Sequence, residues 1–206
     1  MIRTIGHGTR TVETLIALLR AHDVAQLVDV RTIPRSRRNP QFGREALAAS
    51  LAAARLAYVH MPGLGGLRKA RAGSVNLGWR NAAFRGYADY METAEFARSL
   101  EELVELARRQ PTAIMCAETV PWLCHRSLIA DALTARRTPV EHILTAARAE
   151  PHALTAFAVV EGTRVTYPAP VPLGRARKGG PPRLTIPEPG RHALGPVPGG
   201  ARGGAR

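Results

Sequence analysis

The 206 residues, 45% of them hydrophobic, suffice for one main domain with a full core. No apolar run reaches the ~20 residues of a membrane span, and the N-terminus enters a strand-like run without the long apolar segment of a leader; the expectation is a cytoplasmic protein with no membrane partner. Two cysteines exclude a disulfide framework, and the net charge of +13 divides into about +7 over residues 1–167 and about +6 over 168–206.

In chain order, "IRTI" (2–5) is a short apolar run, followed by a helical pattern in which Val12, Leu15, Ile16 and Leu19 share a face and Thr11 is placed to cap. "AQLVDV" (25–30) reads as a strand, "REALAASLAAAR" (44–55) as a helix with Leu47, Leu51 and Ala54 on one face, and "LAYVH" (56–60) as the next strand. Residues 61–83 hold glycines and basic residues with little periodicity, the pattern of a long loop. "AFRGYADYM" (83–91) predicts a short helix, and Thr93 can cap a second on which Phe96, Leu100, Leu103 and Ala107 share a face. "TAIMC" (112–116) is a strand, "HRSLIADALTAR" (125–136) a helix and "VEHI" (140–143) a last core strand. "TAFAVVEGTRVTYP" (155–168) has two runs about Glu161 and Gly162, as a hairpin would. This alternation predicts a three-layer, Rossmann-like α/β domain over 1–167, with a mainly parallel sheet, helices on both faces and a C-terminal hairpin. Residues 168–206 carry nine of the 16 prolines and nine of the 19 glycines, which predicts a disordered basic tail, either solubilising or a weak contact for a phosphate backbone.

Ligands of open parallel sheets bind outside the carboxyl ends of the strands. Gly6 and His7 follow the first strand, Asp29 and Arg31 the second, His60 the third, and Cys116 and Glu118 the fourth. The loops after strands two and three add Arg35, Ser36, Arg37, Arg38, Gly65, Gly66, Arg68, Lys69 and Arg71. Arginine and lysine gathered at one edge suit a phosphate, a nucleotide or a nucleic-acid backbone, although each could equally be part of a solvated loop face. Cys124, His125 and Arg126 precede a helical pattern; free N–H groups and the helix dipole favour anions there and make Cys124 the better thiolate candidate. Cys116 ends a strand and is the better packing candidate.

Several readings of this edge stay open. Asp29 and Glu118 suit paired carboxylates of a hydrolytic site, or Asp29 pairs with Arg31 or Arg126 and holds loops together. His7 is a base, a phosphate ligand, or a histidine satisfied by ordinary hydrogen bonds. Seven residues between the cysteines is not a recurrent zinc spacing, so no metal ligand is assigned, and a bridge between them requires a Cα separation of ~4.4–6.8 Å. A C-x5-R phosphatase loop starting at Cys116 is excluded by Trp122.

In the order "TIGHGTRTVETL", "LVDVRTIPRSRRNPQF", "YVHMPGLGGLR", "FRGYADYMETAEF" and "MCAETVPWLCHR", the chain resembles the family called domain of unknown function 488 from residue 2 to about 145. The resemblance implies one shared site built from several strand ends, with motif positions at His7, Asp29, Arg31, Pro34, Ser36, Phe42, Tyr58, Gly65, Gly66, Tyr87, Cys116, Glu118, Cys124, His125 and Arg126. It implies no substrate. Where the family often reads serine the chain has Gly8, with Thr9 as the nearest hydroxyl.

The reading that follows is an enzyme of hydrolase or transferase type for an anionic, nucleotide-like or phosphate-bearing ligand. Arg31 and Arg126 clamp the anion with help from Ser36, Gly65, Gly66, Arg68, Cys116 and His125. His7, Asp29 or Glu118 serve proton transfer, and Cys124 is a thiolate or a polar orienter. No dinucleotide fingerprint or Walker loop names a cofactor. The alternatives are a nucleic-acid-binding or sensing module, for which aromatics at 5% supply little base stacking, and a thiol-redox or metal-binding protein.

Overall fold

The computed structural model describes residues 1–35 and 38–170. The first five strands are joined by five helices, two of them consecutive between β3 and β4: β1 Ile2–Gly6, α1 Val12–Ala21, β2 Gln26–Asp29, α2 Arg44–Ala53, β3 Ala57–His60, α3 Ala82–Tyr90, α4 Ala94–Arg109, β4 Thr112–Cys116, α5 Arg126–Ala135 and β5 Val140–Thr145. Two of the helix starts follow from hydroxyl caps: Thr11 accepts from the Thr14 amide and Thr93 from the Phe96 amide, each at 3.2 Å. Asn81 caps α3 in the same way through the Ala83 amide.

The sheet has six strands in the order β3-β2-β4-β1-β5-β6, the last being Arg148–Pro151. All neighbours pair in parallel except β5 and β6. Strand β6 was not expected. Its sequence, "RAEP", is a short edge strand with exposed ends and no apolar alternation, so it carries no burial signal. The expected hairpin is present as β7 Val159–Glu161 and β8 Arg164–Thr166, joined through Gly162 at φ +62°.

Helices cover both faces. On one, Leu15 and Leu19 of α1 and Leu47 and Leu51 of α2 pack with Ile5, Leu27, Ala113 and Met115. On the other, Tyr87, Phe96, Leu100, Leu128 and Leu133 of α3 to α5 pack with Ile2, Val28 and Ile114, and Val165 and Tyr167 of the hairpin region join them. The alternation of Ala113 and Met115 with Ile114 and Cys116 is the period-2 signature of a strand buried on both sides.

Strand β4 lies between β2 and β1, so its order departs from a simple progression. The helices after β1 and β2 lie on one face and the helix after β4 on the other, so the connections leaving these neighbours diverge. The crevice of a doubly wound sheet forms where connections diverge, which puts it at the carboxyl end of β4, beside Cys116. The loop 61–81 is tied down beside it. Asp89 accepts from the Arg71 amide, Ser74 and Asn76, while the hydroxyls of Tyr87 and Tyr90 donate to the carbonyls of Leu64 and Gly63.

No helix among the described residues is long and apolar enough to cross a membrane. The expectation for the basic tail lies outside the described residues from 171 onward.

Candidate functional site

A cleft of about 710 Å³ opens at the carboxyl edge of the sheet. His7, Arg31, Gly66, Cys116, Glu118, Cys124 and His125 all line it, so seven residues from five separate chain segments meet as the strand-end rule requires.

Asp29 and Arg31 form its most heavily constrained wall. Arg31 Nε donates to Asp29 Oδ1 at 2.8 Å and Nη2 to Oδ2 at 2.5 Å, a fork-on-fork pair with Asp29 fully buried. The Arg31 amide and the Tyr58 hydroxyl also donate to this carboxylate. Of the two roles open for Asp29, the ion pair with Arg31 is the one the geometry displays. Nη2 further donates to the Phe42 carbonyl and Nη1 to His7 Nε2 at 3.3 Å. Among the described residues, four of the five guanidinium N–H groups thus have internal partners, leaving one on Nη1, and Arg31 borders the cleft.

His7 is held from three sides. Its ring stacks on Phe42 with centroids 4.1 Å apart, Nδ1–H donates to the Gly8 carbonyl at 2.9 Å, and Nε2 accepts from Arg31. Burial of the ring holds its pKa below the ordinary value; the Gly8 bond opposes this and the Arg31 charge adds to it. A neutral ring with its lone pair engaged by Arg31 suits an orienter better than a free base.

Cys116, Cys124 and His125 form the floor. The donor atoms of the three lie within 4.8 Å of one another, with His125 Nδ1 at 3.8 Å from Cys116 Sγ and 3.6 Å from Cys124 Sγ. Both cysteines are free and buried. His125 Nε2 donates to the Val30 carbonyl at 3.2 Å, which fixes the proton there and turns Nδ1 toward the sulfurs. His125 stands at the N-cap position of α5 without a side-chain cap bond, its ring being directed to the sulfurs instead. A hydrogen bond from the Cys116 thiol lowers the Cys124 pKa against the penalty of burial, and the Arg126 charge lowers it further. The same bond, burial and the charge on Cys124 push the Cys116 thiol up.

Other expected ligand residues face elsewhere. Arg126 is fully buried behind the floor: Nε donates to Cys124 Sγ at 3.4 Å, Nη1 to Thr4 Oγ1, and Nη2 to the Glu118 carbonyl. Its long side chain therefore reaches back into the fold, behind the floor. Arg68 lies over the Tyr90 ring at 3.5 Å and donates to the Gly65 carbonyl. Gly65 packs on Thr32. Ser36 lies outside the described residues, as does Arg37.

Two glycines permit close approaches. A Cβ on Gly6 would sit 1.9 Å from the Glu118 carbonyl, and one on Gly66 would sit 2.6 Å from His125 Nδ1. Glu118 itself is exposed on the cleft.

The family described as Domain of unknown function DUF488 matches residues 11–133, more than half of the chain. The chain belongs to this family. No curated protein and no solved structure matches it. The DUF488 match contains Asp29, Arg31, Gly66 and the whole floor, while His7 lies just ahead of it.

Within this DUF488 site, Arg35 and Arg38, which in sequence are simply members of a basic loop, both line the cleft as exposed side chains. Phe84 and Leu123 supply apolar wall and carry no site signal in the sequence. Phe84 follows the helix start and Leu123 lies in a 3-10 turn, Pro121–Leu123, so neither stood out from ordinary core periodicity. The Val30 carbonyl that orients His125 is a backbone atom and has no signal in residue identity.

Proposed function

We propose that the chain is an enzyme that binds an anionic, phosphate-bearing or nucleotide-like small molecule in this cleft and carries out hydrolysis or group transfer on it. The observation that carries the reading is the Arg31 guanidinium, anchored by Asp29, bordering the same cleft as the Cys116–Cys124–His125 floor. Anchoring removes the rotamer entropy that an exposed arginine would lose on capturing an anion, and it leaves one N–H for the ligand. Arg35 and Arg38 add positive charge at the rim, which raises the local concentration of anions. Phe84, Leu67 and Leu123 offer apolar surface suited to a base or sugar face.

In this reading Glu118, exposed on the cleft, is the group placed to move a proton, and His7 orients Arg31. Cys124 and His125 contact the reacting part of the ligand, and Arg126 steadies Cys124 from behind.

Thermal-shift measurements with matched nucleosides, nucleotides and sugar phosphates test the proposal. A ligand at a hundred times its Kd raises stability by about 2.7 kcal/mol, a rise of several degrees in Tm. The expected result is a shift with phosphate-bearing compounds that the matched neutral nucleoside lacks. Equal shifts for nucleoside and nucleotide, or none for either, would overturn it.

A further inference from the structure

We infer that Cys116, Cys124 and His125 form a zinc site with three protein donors, its fourth position directed to the cleft. Sequence spacing speaks against zinc because seven residues between cysteines is not a recurrent zinc pattern. In space the donors converge. Bonds of about 2.3 Å to sulfur and about 2.0 Å to nitrogen at tetrahedral angles set neighbouring donors about 3.5–3.8 Å apart. The sulfur-to-Nδ1 separations are 3.8 and 3.6 Å, and the three donors lie within 4.8 Å of one another.

The surroundings are those that a metal site needs. His125 Nε2–H donates to the Val30 carbonyl, so the lone pair on Nδ1 faces the sulfurs in the tautomer that can bind a metal. Arg126 Nε donates to Cys124 Sγ from the buried side, as outer donors to thiolate ligands do. Two thiolates and one imidazole form a donor set that selects zinc among the common divalent ions over magnesium or calcium, which prefer oxygen. Binding exchanges thiol protons for the metal, which releases them to solvent. The group has no fourth protein donor among the described residues, and all three members border the cleft. Three ligands with an open position is the pattern of catalytic zinc, where a water or a substrate oxygen completes the tetrahedron. Metal at this point would face an anion held by Arg31; the inference thus deepens the proposed function and rests on its reading of the same floor, while its own evidence is the convergence of the three donors.

The test uses the full chain, stripped with a chelator and titrated with Co2+ as a spectroscopic stand-in, then with Zn2+. The expected result is one Co2+ per chain with thiolate-to-metal charge-transfer absorption and tetrahedral d–d bands, displaced by one equivalent of Zn2+. Cys116→Ser and Cys124→Ser should each weaken the charge-transfer band, and His125→Gln should lower metal affinity at least tenfold. Should these variants fail to fold, wild-type protein still decides: Zn2+ should protect both thiols from alkylation. Absence of the tetrahedral bands, or unchanged alkylation at stoichiometric Zn2+, would overturn the inference. Anion binding is read separately by thermal shift on the stripped protein. A nucleotide shift without Co2+ bands sinks the metal site alone, and Co2+ bands without any nucleotide shift sink the anion reading alone.

Discussion

Asp29 and Arg31, two positions apart at the end of β2, meet through two parallel hydrogen bonds with the carboxylate fully buried. Arginine contributes to a cleft wall only if its charge is matched in the fold, and Asp29 matches it. Breaking a buried pair strands a charge, which costs about 3–5 kcal/mol. Asp29→Asn should therefore lower the urea midpoint by an amount of that order with little change in m. Adding Arg31→Met should recover part of the loss, because a neutral pair leaves no stranded charge. Equal stability of the single variant and wild type would show the pair to be dispensable.

Gly66 lets the loop after β3 lie directly on the His125 ring. A Cβ there would approach Nδ1, Cγ and Cε1 to between 2.6 and 3.0 Å, so the ring has to move. Overpacking of this kind costs roughly 1–3 kcal/mol. Gly66→Ala should lower Tm and also alter the alkylation rate of the neighbouring cysteines, since His125 Nδ1 faces both sulfurs. A loss of Tm with unchanged thiol reactivity would show that the ring stays in place and the backbone yields instead.

How much of this was legible in the sequence depends on what each residue leaned on. Strands β1, β2 and β4 announce themselves because burial on both faces demands continuous apolar runs, whereas the edge strand β6 makes no such demand. The strand-end rule places His7, Arg31, Cys116 and Glu118 at one edge without further information, and the cleft contains them. Arg126 and Arg68 share that edge in sequence but turn away, to Cys124 and to Tyr90, because packing selects which way a long flexible side chain extends. Convergence of the cysteines with His125 is hidden because the turn at Pro121 sets where the Cys124 sulfur lies and the Val30 carbonyl sets which way the His125 ring faces. The buried cluster around Asp131, which accepts from His152, Thr155 and Tyr167, draws on residues spread over 36 positions and leaves no local pattern.

That cluster gives the fold a pH dependence. His142 lies between Thr4 and His152, and His152 Nε2 is 2.8 Å from Asp131. Burial, followed by the charges of His152 and Arg126 and opposed by Asp131, pushes the His142 pKa down to about 4 from 6.5. A histidine depressed in the folded state binds its proton more readily when unfolded, so stability is full above pH ~6.5 and declines as pH falls toward ~4. Because His142 is only partly buried, the loss should stay below about 3 kcal/mol. Urea unfolding at pH 7 and at pH 4.5 checks this, with His142→Gln as the comparison that removes the contribution from other groups. An equal acid loss in wild type and His142→Gln would exclude His142 as its source.

Anchored and rim arginines should separate by their response to salt. Arg31 is buried, so its contact with a bound phosphate is little screened; a hydrogen bond to a charged group contributes about 1.5–3 kcal/mol, or roughly 10- to 150-fold in affinity. Arg35 and Arg38 are exposed on the same cleft, where screening and side-chain entropy hold each contribution to at most about fivefold. At an ionic strength near ~1 M the screening length falls to about 3 Å, and the rim contribution should vanish while the anchored one persists. Nucleotide affinity is therefore expected to fall severalfold in Arg35→Ala, Arg38→Ala protein at low salt and to equal that of wild type at high salt. In the neutral Asp29→Asn, Arg31→Met background it should be weak at both. Isothermal titration at the two salt concentrations measures all three, and a rim variant as weak as the anchored one at high salt would assign the phosphate to Arg35 and Arg38 instead of Arg31.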